Sequence, residues 1–186
     1  NLIHLMDFGG NLNVAGVSGS WSAHFKNLWS TFLSGQINSP EKDNLMLRGG
    51  PVMKMPGNMY IGGGINSNSR KKLSGELDFS YFRTFHDVRE AYELEVEIEY
   101  RPVNTLTISV EPGWSRTVNM MQYVTTQSLT SGVYTPRYIF GSLDQKILSI
   151  SLRVDYNITP DLTIQYWGQP FFGSGKYSEF KRVTDP

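Results

Sequence analysis

Four glutamates alternate along one short stretch, and their spacing is the strongest sign of chemistry in the chain. They are Glu93, Glu95, Glu97 and Glu99, each separated from the next by an apolar residue. In a β-strand, alternate side chains share one face and lie roughly 7 Å apart along it. Carboxylates arranged in this way can bind a cation or serve as the acid and base of a glycosidase. The same pattern is that of an ordinary solvated strand face, and the sequence favours this second interpretation.

Carboxylates this close together need water or basic partners. The sequence offers the following candidate partners: Lys71, Lys72, Arg83, Arg116 and Arg153.

Other residue types form no motif for catalysis or metal binding. His4, His24 and His86 do not fall at the spacings that zinc sites use. The chain contains no Cys, so disulfides and thiolate ligands are excluded. No G-x-S-x-G nucleophile motif occurs, and His86 beside Asp87 is the one local pair that a hydrolase could use. We therefore predict no catalytic residue, no cofactor and no metal, and a structural or transport role rather than an enzymatic one.

The composition also limits the possible partners. Among 186 residues, 17 Lys and Arg balance 17 Asp and Glu. A nucleic-acid partner normally requires a basic surface, so none is predicted. Charged residues make up 18% of the chain, below the roughly 25% of an average soluble domain, and aromatic residues reach 13%. No apolar run approaches the ~18 residues of a transmembrane helix.

Strict alternation predicts antiparallel strands joined by tight turns. In the clearest strand, residues 93–100, Leu94, Val96 and Ile98 lie opposite the glutamates. Residues 100–108 and 156–164 share one form, a Tyr followed six residues later by Leu-Thr-Ile, and each joins two alternating segments. Because whole pairs of strands separate the two turns, both should lie at the same rim of the sheet.

Less regular segments complete about ten predicted strands of about 8–13 residues, close to the length of a tilted membrane strand. Further strands are predicted at 1–7, 17–25 with continuation to 33, 58–65, 73–81, 116–126 and 133–143. Loops are predicted at 34–44, 66–70, 85–89, 127–132 and 173–177.

These patterns predict an all-β fold: an antiparallel up-and-down meander that is part of a transmembrane outer-membrane β-barrel. The predicted lumen face comprises Glu93, Glu95, Glu97, Glu99, Glu111, Arg153 and Asp155. The predicted aromatic girdle comprises Tyr100, Tyr156, Trp114 and Trp167. Alternation leaves a soluble β-sandwich open as the alternative, since its strands also have one apolar face, with exposed Trp and Tyr stacking on sugars.

Several longer segments resemble a known family. They are residues 137–146, the hairpin 148–164, Gln169-Pro170-Phe171, residues 177–181 and residues 47–53. Together they resemble the C-terminal region of uncharacterised Bacteroidota envelope proteins, in which a carbohydrate-binding-module-like β-sandwich precedes an outer-membrane-type barrel of unknown function. The resemblance implies that residues 1–186 are a single barrel region, an internal fragment without the upstream module and the closing strands. It assigns no catalytic residue.

Residues and resemblance together predict a barrel protein in the outer membrane of a Gram-negative bacterium. Its expected surroundings are outer-membrane lipid, and its expected partners are glycans or other envelope proteins, in transport, binding or surface anchoring. The alternatives are an envelope hydrolase built on a barrel and a soluble carbohydrate-binding sandwich.

Overall fold

The computed structural model describes residues 1–6, 12–127 and 136–184, and this part of the chain is almost entirely β-strand. The strands are β1 (Leu2–Met6), β2 (Leu12–His24), β3 (Ser30–Asn38), β4 (Glu41–Asp43), β5 (Met53–Met55), β6 (Asn58–Asn66), β7 (Leu73–Thr84), β8 (Arg89–Val103), β9 (Leu106–Gln127), β10 (Arg137–Thr159), β11 (Leu162–Gly168) and β12 (Phe171–Arg182). A single 3₁₀ turn, Phe85–Asp87, interrupts the described strands. None of the described segments forms a helix long and apolar enough to cross a membrane.

The strands form one antiparallel meander, which confirms the predicted all-β class. Ten of them make a single sheet in the order β1-β2-β3-β6-β7-β8-β9-β10-β11, with β12 also pairing with β10. Strands β11 and β12 lie end to end along the same edge of β10, so the sheet is nine strand positions wide. Among the described residues the sheet remains open, with β1 at one edge and β11 and β12 at the other. Strands β4 and β5 form a separate two-stranded hairpin.

Two strands are much longer than predicted. Strand β9 has 22 residues and β10 has 23. The segment predicted as a separate strand at 116–126 is the end of β9, and residues 137–143 of the strand predicted at 133–143 are the start of β10. The pairing of β9 with β10 continues, through two shifts in register, from Lys146 opposite Arg116 to Arg137 opposite Gln127. The prediction failed because apolar alternation stops at Trp114 and Leu148, whereas backbone hydrogen bonding does not depend on side-chain polarity.

Other boundaries also need correction. Residues 173–177, predicted as a loop, belong to β12, where Gly173 pairs with Ile147. Residues 34–38, also predicted as loop, extend β3, and the strand predicted to run from 17 to 33 is broken by a turn in which the Phe25 amide donates to the Trp29 carbonyl at 2.8 Å. Residues 128–135, which hold most of the predicted loop at 127–132 and the start of the strand predicted from 133, lie outside the described part.

The two tight turns share one rim, as predicted. The Asn157 amide donates to the Thr105 carbonyl at 2.8 Å, which joins the β10–β11 turn to the β8–β9 turn. We call this rim the short-connection end; it also holds residues 25–29 and 67–72. The opposite rim, the long-connection end, holds the 3₁₀ turn and residues 39–57, which include the β4–β5 hairpin.

A small apolar cluster lies at the long-connection end. Leu47 is 1% exposed, Met53 6% and Phe140 0%. Met46, Met55, Met121, Tyr123, Tyr138 and Val183 pack around these three side chains. The Arg48 guanidinium lies 4.5 Å from the centre of the Tyr123 ring. The connection between β3 and β6 thus reaches past β7 and β8 to β9 and β10, and ties two distant parts of the sheet together.

Substitutions of Leu47 and Leu45 form a matched pair that tests the packing of residues 39–57 on β9 and β10. Leu47 is 1% exposed and Leu45 is 78% exposed, although both lie in the same turn. We expect Leu47→Ala to cost about 2–5 kcal/mol through lost burial and a residual cavity, and Leu45→Ala to cost little. Chemical unfolding, with limited proteolysis of residues 39–57, would measure both effects. Equal effects of the two substitutions would contradict the packing described.

Candidate functional site

The pairing of the strands sorts the side chains onto two faces of opposite chemistry. The apolar face carries, among others, Leu73, Leu77, Phe79, Leu94, Val96, Ile98, Leu106, Ile108, Val110, Leu148, Ile150, Leu152 and Val154. The acidic face carries Glu76, Asp78, Glu93, Glu95, Glu97, Glu99, Glu111 and Asp155, together with Ser and Thr. Neighbouring strands keep the same assignment, because residues directly opposite each other point to the same side of a sheet.

Much of the apolar face is exposed, unlike the apolar face of a sheet that packs in a core. Ile98 is 47% exposed and Leu94 is 43% exposed. On the other side of the same strand, Glu97 and Glu99 are half-buried, and Glu93 and Glu95 are exposed. The apolar surface is continuous from β7 to β10, since Leu77 pairs with Val96, Ile98 with Val110, and Val110 with Leu152.

Three of the four predicted girdle residues lie on the apolar face. Tyr100 and Tyr156 lie near the short-connection end, where they pair with Ile108 and Leu106, respectively. Trp114 lies at the other end of the apolar stretch, opposite Leu94 and Leu148. Trp167 is different: it pairs with Arg153 and lines the acidic face. Its position in the alternation explains this, because Leu162, Ile164 and Tyr166 take the apolar side of β11 and Trp167 follows them by one residue.

The predicted lumen residues come together on the acidic face. Glu97, Glu99, Glu111, Arg153 and Asp155 line one groove of about 500 Å³ that runs across β8, β9 and β10. Trp167 also borders this groove, with Thr107, Ser109 and Ser151 completing the wall. Glu93 and Glu95 lie farther along β8 and border a second hollow, with Asp78 and Ser80.

Carboxylates also form a row across the strands. Glu76 of β7 lies directly opposite Glu97, and the pairs on either side place Glu97 opposite Glu111 of β9. The Asn66 amide lies 2.8 Å from the Glu76 carboxylate and donates to it when its nitrogen faces that group. Like charges directly opposite one another destabilise a sheet unless water or cations separate them. Glu76 and Asp78 were not among the predicted lumen residues, although the alternation of polar residues over 73–81 could have identified them.

The basic partners suggested by the sequence are mostly engaged elsewhere. Arg83 pairs with Asp87, and Arg116 pairs with Asp144 at 2.9 Å. Arg153 pairs with Asp155 at 2.7 Å, and Glu99 pairs with Arg101 at 2.6 Å. In the described ranges these last two are the ion pairs of the acidic face, which therefore keeps an excess of negative charge.

Asp78 occupies a special position on this face. One of its carboxylate oxygens, Oδ1, is buried and has no hydrogen-bond partner among the described residues. Gly64 of β6 lies directly opposite Asp78, and a Cβ atom at Gly64 would clash with this carboxylate. The glycine thus provides the space into which the Asp78 side chain folds.

His86 and Asp87 do not form a catalytic dyad in this structure. His86 is exposed and has a left-handed backbone with φ of 66°. The Asp87 carboxylate accepts hydrogen bonds from the Arg83 guanidinium instead. Within the described residues, no three His, Asp or Glu side chains are grouped in a way that could hold a metal ion.

A second polar group lies on the apolar side of the sheet, beyond the last apolar residues towards the long-connection end. The Glu90 carboxylate accepts hydrogen bonds from the Tyr92 hydroxyl at 2.7 Å and the Tyr81 hydroxyl at 2.8 Å. The two tyrosine rings are 4.9 Å apart. These hydrogen bonds hold the pKa of Glu90 below its usual value and raise the pKa of Tyr92 to about 12.

The hydrogen bonds to Glu90 should make the stability of the folded protein depend on pH. Because its pKa is lower in the folded than in the unfolded protein, its stabilising effect is present above the unfolded pKa of about 4.3 and is lost as the pH falls through the folded pKa. We expect Glu90→Gln to lower the melting temperature by about 2 °C at pH 7 and by less at pH 3. Thermal unfolding at both pH values would measure the difference. A deficit of the same size at both would contradict the assignment.

Fold and site together define a class of protein: an antiparallel β-meander with one apolar, largely exposed face and one acidic face. Residues 9–186 match the domain of unknown function DUF5916, and the chain belongs to this family. No curated protein and no solved structure matches the chain.

Proposed function

We propose that the chain forms part of the wall of a β-barrel that spans the outer membrane of a Gram-negative bacterium. The exposed apolar face carries this proposal. Soluble monomers rarely expose contiguous apolar patches larger than a few hundred Å². Here exposed apolar residues extend over β7, β8, β9 and β10 on one face of the sheet, whereas the carboxylates, Ser and Thr of the same strands take the other face. A membrane barrel has this arrangement, since its outer surface contacts lipid and its lumen is polar.

The dimensions of the apolar face also support a membrane. On β10 the apolar alternation runs from Leu148 to Ile158. At about 3.3 Å per residue this stretch is about 33 Å long, and a strand tilted by about 40° would rise about 25 Å over it. This is the height of the apolar band of outer-membrane barrels. Tyr156 near one end and Trp114 at the other, opposite Leu148, fit the positions of interfacial aromatic residues.

A barrel in lipid also requires that both edges of the sheet be paired, since unpaired backbone groups are very costly in hydrocarbon. Strand β1 pairs antiparallel with β2, and β11 and β12 pair antiparallel with β10, so β1 and the β11–β12 edge run in the same direction. An odd number of further strands between the two edges would close the ring with antiparallel pairs throughout. By the usual topology of such barrels, the short-connection end would face the periplasm and the long-connection end the outside.

We propose that the barrel binds or transports glycans. Surface anchoring is a second role that agrees with the resemblance to envelope proteins. The groove on the acidic face supports a sugar ligand. It combines Trp167, which is 65% exposed, with carboxylates, hydroxyls and the Arg153 guanidinium. An aromatic ring can pack against the apolar face of a sugar, and the polar groups can bond to its hydroxyls. The Bacteroidota source and the upstream carbohydrate-binding module are expectations from the same resemblance.

Membrane insertion is tested first by heat modifiability. We expect the full-length protein, extracted in detergent from the outer-membrane fraction, to migrate differently on gels with and without boiling. A soluble, heat-insensitive protein would overturn the proposal and favour the soluble sugar-binding alternative.

Adjacent residues on opposite faces sharpen this test. We expect Ile98→Arg to hinder insertion at a cost of about 2–4 kcal/mol, because the charge would face the middle of the apolar band. Glu97→Arg points to the polar side and serves as the control, with little loss of folded protein in the membrane fraction. Normal insertion of the Ile98→Arg variant would contradict the membrane assignment of this face.

Trp167 provides the test of glycan binding. We expect the intrinsic fluorescence of the full-length protein to change on titration with maltohexaose or cellohexaose, and Trp167→Ala to weaken this binding about tenfold or more. Trp114→Ala, on the apolar face, is the matched control and should bind as the wild type does. If neither sugar binds to the wild type, or if both variants bind equally well, the groove is not the sugar site for these ligands.

A further inference from the structure

Basic side chains lie on the apolar side of the sheet directly beyond its last apolar residues. On β9 and β10 the last apolar pair is Trp114 opposite Leu148, and the next pair on the same side is Arg116 opposite Lys146. One strand farther, Lys176 of β12 lies opposite Asp144. The surface therefore changes from apolar to charged within a single step of two residues.

The positive charges in this cluster are only partly compensated. The Arg116 guanidinium pairs with Asp144 through both carboxylate oxygens, at 3.1 and 2.9 Å. Lys146 and Lys176 are exposed, and both lie near enough to Asp144 to help lower its pKa, after Arg116. Glu90 is also near Arg116, but its carboxylate accepts hydrogen bonds from two tyrosines. Three cations and two carboxylates leave the cluster positive.

The opposition of Arg116 and Lys146 has an energetic consequence. Like charges directly opposite each other in an antiparallel pair are destabilising. An anion placed between them would remove the repulsion, and the planar fork of an arginine is well suited to phosphate oxygens. The Arg116 side chain remains 41% exposed, so its surface is accessible from outside the sheet.

We propose that Arg116, Lys146 and Lys176 bind the phosphate groups of an anionic glycolipid in the outer leaflet of the membrane. This inference rests on the proposed function, because it requires the apolar face to contact lipid. Trp114 then lies at the level of the membrane interface, and the three cations lie one step above it, at headgroup level. They are on the side of the long-connection end, which the proposed topology places outside the cell.

The test uses the full-length protein reconstituted into phosphatidylcholine vesicles with and without diphosphoryl lipid A. The variant is Lys146→Gln with Lys176→Gln. The control is Lys71→Gln with Lys72→Gln, which makes the same charge change in the 67–72 connection at the opposite end of the sheet. Since each basic residue near an anionic surface contributes about 1 kcal/mol, we expect the variant to bind lipid A roughly 10- to 30-fold more weakly than the wild type. The control should bind like the wild type.

The possible outcomes separate the inference from the function on which it rests. Equal binding of lipid A by wild type and variant would overturn the phosphate assignment while leaving the barrel intact. Stabilisation of the wild type by inorganic phosphate alone, matching that by lipid A, would mean that the cluster binds free anions rather than a lipid. Failure of the wild type to insert into either kind of vesicle would overturn the proposed membrane function itself.

Discussion

The register between neighbouring strands is the constraint on which the rest of the structure depends. A slip of one residue would move every side chain of a strand to the opposite face. From β7 to β10, the pairs Leu77–Val96, Ile98–Val110 and Val110–Leu152 hold one register across the middle of the sheet. Shifts in register occur near the strand ends, as between Gly141 and Leu143 of β10 or between Tyr100 and Val103 of β8. The two faces are therefore separated most strictly where the apolar surface is largest.

Charge pairing follows from this separation. Among the described residues, three of the four ion pairs join residues two or four positions apart in the sequence: Arg83 with Asp87, Arg101 with Glu99 and Arg153 with Asp155. The fourth, between Arg116 and Asp144, connects different strands. These three arginines therefore neutralise near neighbours and not the row of Glu76, Glu97 and Glu111 across β7, β8 and β9. The acidic face therefore keeps its negative charge, which suits it to a polar ligand. The basic cluster on the other side of the sheet, Arg116, Lys146 and Lys176, keeps a net positive charge.

The two ends of the sheet differ in how well their connections are packed. At the short-connection end, the connections are two to six residues long and none of their residues is buried, and the β8–β9 and β10–β11 turns are joined by the backbone hydrogen bond between Asn157 and Thr105. At the long-connection end, residues 39–57 bring Leu47 and Met53 onto Phe140 and make the best-buried cluster of the described chain. In a barrel, this difference would make one rim plain and the other a structured surface, where sequence changes can alter function without disturbing the strands.

The sequence by itself determined the features that depend on alternation and local turns. The meander, the shared rim of the two Tyr-to-Leu-Thr-Ile turns, the glutamate stripe and the side taken by Tyr100 and Tyr156 all follow from period-two spacing, which the backbone of a strand imposes. The full length of β9 and β10 was not evident, because the strict apolar–polar alternation ends at Trp114 and Leu148 and the residues beyond mix apolar and polar types without that period. Trp167 was predicted for the girdle from its aromatic type, whereas its place in the alternation puts it on the acidic face, opposite Arg153. Only the tertiary structure decided the pairing of Arg116 with Asp144 and the packing of Leu47 on Phe140, since both join segments far apart in the chain, and no local pattern records which distant residues will meet.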